Sequence, residues 1–152
     1  MGAKPIFTLG LNDLDACLEL DELVMGGFWS RSQWEEELAN SMRLCLGLKQ
    51  SSHLYAIACG MVLFEELHLN IVFVHPSFRR AGNAKRLVLE LFRKAIDGGA
   101  KCATLEVSSL NLEAQCFYKD FGFKTKGIRK NYYRNGGDAL IQWTNLVANT
   151  RR

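Results

Sequence analysis

The stretch from Leu67 to Val107 constrains this chain most, because it couples an apolar run to a basic turn, an amphipathic helix and a second apolar run. Leu67 to Val74 reads as a strand, and Pro76, which has no N–H to give to a ladder, stops it. From Gly82 to Ile96 the residues Ala84, Leu87, Val88, Leu91, Phe92 and Ala95 fall on one helical face, and Gly98-Gly99 ends the run. Lys101 to Val107 reads as the next strand. A strand, a crossover helix and a strand pair in parallel through a right-handed connection. The turn Arg79-Arg80-Ala81-Gly82-Asn83-Ala84 lies where unpaired N–H groups and the positive end of the helix dipole converge, which suits an anion. Gly82 and the small Ala84 let a ligand approach the backbone closely. The pattern is neither a Walker loop nor the Gly-x-Gly-x-x-Gly of a dinucleotide fold.

The rest of the chain reads as one layered domain over residues 1–152, long enough for a single core. Pro5 to Thr8 suggests a short strand. A helix capped at Asn12 or Asp13 follows, with Leu14, Cys17, Leu18, Leu20, Leu23 and Val24 near helical spacing. Gly26-Gly27 ends it, and another helix opens at Ser30 or Ser32, with Glu35 placed to complete a capping box from Ser32. The aromatic segment Gly27-Phe28-Trp29-Ser30 between them reads as core closure, or else as one wall of a cleft. Met42 to Leu48, Leu54 to Phe64 and Leu67 to Val74 then suggest an antiparallel meander. A shorter helix is expected over Asn111 to Asp120. Two final strands, Phe123 to Lys130 and Ala139 to Leu146, flank the turn Asn135-Gly136-Gly137-Asp138.

Charge and cysteine usage narrow the partners. An excess of 19 basic over 16 acidic residues is too small to argue for nucleic acid. The basic groups Lys124, Lys126, Arg129, Lys130 and Arg134 read equally as solvated surface or as part of a site. Cys17, Cys45, Cys59, Cys102 and Cys116 have no metal-ligand spacing, so no metal is expected; reduced thiols in a cytoplasmic protein are the simplest reading. Cys116 has no basic partner in sequence and reads as packing, and His68 and His75 read as structural. No secretory pattern is seen, Ile6 spoils a Met1-Gly2 myristoylation signal, and the apolar run Leu54 to Phe64 is too short to span a membrane.

The turn is joined downstream by Asn111-Leu112-Glu113-Ala114-Gln115-Cys116-Phe117-Tyr118-Lys119-Asp120-Phe121-Gly122-Phe123. With both segments in this order, the chain resembles the GCN5-related N-acetyltransferases (GNAT). The basic turn is similar to that family's Gln/Arg-x-x-Gly-x-Gly/Ala pyrophosphate loop. The downstream segment is similar to its Asn-x-x-Ala-x-x-Phe/Leu-Tyr-x-x-x-Gly-Phe pattern. Leu105-Glu106-Val107, Ile128-Arg129-Lys130-Asn131-Tyr132-Tyr133 and Asp138-Ala139-Leu140-Ile141 are most similar to the bacterial RimI type, which acetylates the N-terminal alanine of a small-subunit ribosomal protein. The departures are Arg79 and Ala84, which are the rarer allowed choices, Asn83, and His75 in place of an acidic residue.

The resemblance implies an α/β domain with a mixed, mostly antiparallel sheet, a parallel pair at the cofactor cleft and helices on both faces. It implies acetyl-CoA as co-substrate. Val72, Phe73 and Val74 would contact its acetyl and pantetheine groups, Arg79, Arg80, Ala81, Gly82, Asn83 and Ala84 its pyrophosphate, and Asn111 its pantetheine side. Glu106 and Tyr118 match the base and acid positions. The chemistry wants both, since a protonated amine must lose a proton before attacking a thioester and the departing thiolate must gain one. Partial burial of Glu106 at its strand end is expected. The acceptor implied is a protein N-terminal amine, with a small-molecule or lysine acceptor, or a non-catalytic CoA-binding module, as competing readings.

Overall fold

A computed structural model describes residues 4–146; Met1, Gly2 and the end of the expected domain beyond residue 146 lie outside the described residues. Among the described residues, seven strands form one sheet: β1 (Phe7–Thr8), β2 (Arg43–Gln50), β3 (His53–Leu63), β4 (Glu66–Val74), β5 (Cys102–Ser108), β6 (Lys124–Arg129) and β7 (Ala139–Asn145). Their order is β1-β2-β3-β4-β5-β7-β6, and among the described residues the β4–β5 pair alone is parallel. Helix α3 (Asn83–Asp97) makes the crossover between those two strands, as the apolar spacing predicts.

Helices cover both faces. Leu87, Val88, Leu91, Phe92 and Ala95 of α3 pack with Leu67, Leu69 and Leu105, and helix α4 (Leu112–Lys119) adds Phe117 and Tyr118 to that layer. On the other face, α1 (Leu14–Met25) and α2 (Arg31–Ala39) place Cys17, Leu20, Trp34 and Leu38 over Ile57, Cys59, Ile71 and Phe73. The cap of α2 is Ser30, whose hydroxyl accepts from Gln33 N–H at 3.2 Å while Gln33 Oε1 accepts from Ser30 N–H at 2.7 Å. Of the two capping serines read from sequence, Ser30 with Gln33 is used and Ser32 with Glu35 is not.

One irregularity in β4 shapes the molecule. Ile71 pairs with Cys59 and Leu69 with Gly60, so Asn70 is an extra residue with no partner of its own. Leu67 and Leu69 therefore pack under α3 whereas Ile71 and Phe73 pack under α1 and α2. Strict alternation would put all four on one face; an inserted residue flips the parity and bends the strand. Gly60 answers the bulge on β3, since a Cβ there would lie 2.8 Å from the His68 carbonyl oxygen.

Cysteines correct one expectation. Cys45 and Cys59 stand directly opposite in the β2–β3 register, with Cα atoms 4.3 Å apart, and are joined as a disulfide. Cys17, Cys102 and Cys116 are free thiols. The pairing follows from strand register, which sequence spacing does not reveal. Cys116 is exposed on α4, so it is not a packing residue. Among the described residues no helix is long and apolar enough to cross a membrane, and no cluster of His, Cys, Asp and Glu is arranged to hold a metal.

Candidate active site

The site is a fork in the sheet. β4 and β5 pair from Glu66↔Cys102 to Leu69↔Leu105 and then separate, at the Asn70 bulge, while β5 stays paired with β7 as far as Ser108↔Ala139. Beyond the fork β4 remains bonded to β3. His75 N–H donates to Tyr55 O at 2.7 Å. Because backbone groups alternate sides along an antiparallel strand, those of Phe73 turn toward β3 and those of Val72 and Val74 face the open gap. Val72 and Val74 thus turn their strand-edge groups toward the gap, where the Val74 carbonyl also accepts from Arg79, and Phe73 instead contributes a buried ring on the α1–α2 face.

The turn after β4 is stiff and locally cross-braced. His75 Nδ1 accepts from Ser77 N–H at 3.0 Å, so this histidine caps a short 3-10 turn, Pro76–Phe78. Arg79 Nε donates to Val74 O at 3.2 Å, and Asn83 Nδ2 to Phe78 O at 2.8 Å. Arg80 and Gly82 both adopt left-handed backbone, at φ 61° and 78°. A side chain at Gly82 would meet nothing within 4 Å, so the glycine is required by backbone conformation and the space before it is open. The first intrahelical bond of α3 runs from Arg86 N–H to Gly82 O at 3.0 Å. The N–H groups of Asn83, Ala84 and Lys85 have no intrahelical acceptor and lie at the positive end of a 15-residue helix. Arg79 and Arg80 are exposed beside them. This cradle fits a pyrophosphate.

On the α1–α2 face, reaching from the paired part of β4 and β5 to the fork, lies a cavity of about 580 Å³. Its floor carries Glu66, His68 and Asn70 of β4 and Thr104 and Glu106 of β5; Phe28, Trp29 and α2 form one wall, and Arg129, Tyr132 and Tyr133 the other. Glu106 is the first β5 residue beyond the fork. Its side chain is 31% exposed and its Oε1 accepts from Arg129 Nε at 3.1 Å. Tyr132 hydrogen-bonds to the same carboxylate, and that bond, before burial, pushes the Tyr132 hydroxyl pKa up. Glu106 is thus a partly buried carboxylate at its strand end, as expected, ion-paired to Arg129 and still open to solvent on one side. At the back of the groove Glu37 is only 2% exposed; Arg43 Nη1 donates to its Oε2 at 2.5 Å. Burial, opposed by Arg43, raises the Glu37 pKa.

Tyr118 does not line this cavity. It packs edge-on against Phe117 and Phe123, at centroid distances of 5.1 and 5.7 Å, in the layer that contains α3. Burial alone pushes its hydroxyl pKa well above the usual value, so it stays protonated near neutral pH. Asn111 caps α4, its Oδ1 accepting from Ala114 N–H at 3.0 Å. The structure therefore brings Val72, Val74 and Glu106 together at the fork, puts the Arg79–Ala84 turn on β4's outgoing end, and sets Tyr118 across the sheet from the groove. Sequence reasoning read His68 as structural, left Arg129 between solvated surface and site without pairing it to Glu106, and did not single out Asn70, Thr104, Glu37 or Arg43. Their shared alternation on β4 and β5 was the available signal for the floor residues, but the bulge hides it. Phe28 and Trp29 do form a cleft wall, and Tyr132-Tyr133 do border the groove.

With this geometry in view, comparisons with known proteins are specific. The acetyltransferase (GNAT) domain family matches residues 19–140. A Bacillus subtilis protein provisionally named a [ribosomal protein bS18]-alanine N-acetyltransferase is 33% identical over 143 residues, covering 90% of this chain and 91% of its own length. The [ribosomal protein bS18]-alanine N-acetyltransferase of Haemophilus ducreyi is 31% identical over 130 residues, covering 84% and 88%. Among solved structures, the Escherichia coli ribosomal-protein-S18-alanine N-acetyltransferase superposes with a TM-score of 0.85 at 27% identity, over 93% of each chain. The forked sheet, the helix-start cradle and these matches together show that the chain belongs to the GNAT acetyltransferase family.

Proposed function

We propose that this chain, acting as one domain over residues 1–152, acetylates the α-amine at a protein N-terminus, with the N-terminal alanine of a small-subunit ribosomal protein as acceptor. It would do so in the cytoplasm without a metal. The observation that carries this reading is Glu106, set at the mouth of the fork, paired with Arg129 and with one side open to the groove. The names of the relatives support the acceptor class.

Acetyl-CoA supplies an activated acetyl thioester when bound. The N–H groups of Ala81 to Lys85 and the Arg79 and Arg80 side chains would hold its pyrophosphate, the backbone of Val72 and Val74 would align its pantetheine and acetyl carbonyl along the strand edge, and Phe73 would back that strand from the other face. Asn111 would meet the pantetheine side with its amide nitrogen, since its oxygen is used as a helix cap. An incoming ammonium enters from the groove. Glu106 takes its proton directly or through one water, with Arg129 and Tyr132 fixing the carboxylate. Tyr118 keeps its proton in a dry layer and gives it to the departing sulfur.

A competition assay tests the acceptor. A short peptide with a free N-terminal alanine is offered against the same sequence N-blocked with an internal lysine, and against a polyamine, with the acetylated products resolved by mass spectrometry. Acetylation confined to the free N-terminus is expected. Reaction with the blocked peptide or polyamine alone would show a different acceptor class, and coenzyme binding without any transfer would show a non-catalytic module.

A further inference from the structure

The aromatic wall of the groove hangs on one buried carboxylate that does not itself touch the cavity. Asp21, in the last turns of α1, is 1% exposed. Its Oδ1 accepts from Phe28 N–H at 2.7 Å, and its Oδ2 accepts from Trp29 N–H at 3.0 Å and from the Trp34 indole Nε1–H at 2.7 Å. Its own carbonyl oxygen takes Gly27 N–H at 3.3 Å. Three successive loop N–H groups, from Gly27 to Trp29, thus converge on a single residue. Gly26 and Gly27, at φ 71° and 86°, make the reversal that aims them there. Trp34, fully buried, holds the Trp29 ring edge-on at 4.8 Å.

We infer that Asp21 is a positioning residue for acceptor recognition: it fixes the α1–α2 loop so that Phe28 and Trp29 present a rigid wall to the acceptor chain. This rests on the N-acetyltransferase reading above. A carboxylate accepts at both oxygens, and three N–H donors pointed at it make charge-assisted bonds with no cation needed. An asparagine keeps the size and loses the match. Whichever way its amide is turned, an NH₂ group meets an N–H donor, and at least one loop bond is replaced by a donor–donor contact. The chemistry at Glu106 and the cradle at Arg79–Ala84 share no hydrogen bond with Asp21, so loosening the loop alters how the acceptor is held and leaves the coenzyme side as it was.

The test compares Asp21→Asn with Trp34→Phe, which removes one of the three bonds and keeps an aromatic ring. Steady-state kinetics are run on folded protein with an N-terminal-alanine peptide, and amide hydrogen exchange is read at Phe28 and Trp29. For Asp21→Asn the peptide KM is expected to rise about tenfold, as for one lost charge-assisted bond. Its kcat and acetyl-CoA KM should stay within about twofold, and exchange at both amides should speed up; Trp34→Phe should show the same pattern more weakly. An unchanged peptide KM in folded Asp21→Asn, or kcat and both KM values worsening together, overturns the assignment. Should the wild type prefer another amine, the acceptor named above is wrong, and the same KM split is read with that amine. A wild type that acetylates no amine overturns both.

Discussion

On the α3 side of the fork, the groups presented to a ligand belong mostly to the backbone: the strand edge of Val72 and Val74, the left-handed turn at Arg80 and Gly82, and the opening N–H groups of α3. On the α2 side they belong to side chains: Glu106 held by Arg129 and Tyr132, with Glu37, Arg43, His68 and the Phe28–Trp29 wall around them. The Asn70 bulge separates the two regions. A backbone cradle tolerates changes of side chain so long as the chain path survives, so one coenzyme grip suits many sequences. A groove walled with side chains changes its preferences with each substitution. Coenzyme affinity and acceptor choice are therefore expected to respond to different classes of mutation.

The largest expected effect that would break this division comes from Tyr118→Phe, which keeps the ring in its layer and removes the proton. Turnover should fall by about 10²-fold with acetyl-CoA affinity preserved, as rapid-quench transfer assays and calorimetry would read, the usual scale for a general acid. Because burial raises its pKa, the neutral, proton-bearing hydroxyl persists as pH rises. Loss of rate from Tyr118 ionisation should appear only above about pH 10, the ordinary tyrosine value. A basic limb near pH 8 that vanishes in Tyr118→Phe would count against that role.

Next in size is Gly82→Val. Forcing a β-branched residue into left-handed backbone costs about 1–2 kcal/mol, so acetyl-CoA should bind about tenfold more weakly while the acceptor KM holds. Asn111 offers a subtler pair. Asn111→Ala removes the α4 cap and should cost about 1 kcal/mol of stability by thermal melting, whereas Asn111→Asp keeps the capping oxygen. If the amide nitrogen meets the pantetheine, the aspartate variant melts like wild type and still binds coenzyme less well. The smallest change is expected from Arg80→Ala. An exposed ion pair is worth about 1 kcal/mol or less, so acetyl-CoA affinity should fall by no more than about fivefold. A larger loss would mean that side chains, not backbone, carry the cradle.

Much of this was legible in the sequence, for reasons that differ by region. The crossover unit was readable because Leu87, Val88, Leu91, Phe92 and Ala95 keep helical spacing and because Pro76, Gly82 and Gly98 punctuate it. The cradle was readable because its requirement is local: a glycine at positive φ beside a helix start. The groove was not, since its residues come from the α1–α2 loop, α2, β2, β4, β5, β6, β7 and the segment after β6, and only the sheet brings them together. Arg129 read equally as surface or site until β6 and β7 set it beside Glu106. The bulge at Asn70 reads in sequence as ordinary strand, yet it decides which residues face α3 and where β4 leaves β5. Cys45 and Cys59 likewise meet through register alone.

The central claim is that the fork joins a coenzyme grip to a separate acceptor groove with Glu106 at the junction as the base. The rate of acetyl transfer from saturating acetyl-CoA to an N-terminal-alanine peptide by Glu106→Gln tests it most directly. The glutamine keeps the shape and hydrogen-bonding reach, so the fold and coenzyme binding should persist while the rate falls by about 10²-fold or more. A variant that transfers acetyl at the wild-type rate would contradict the account.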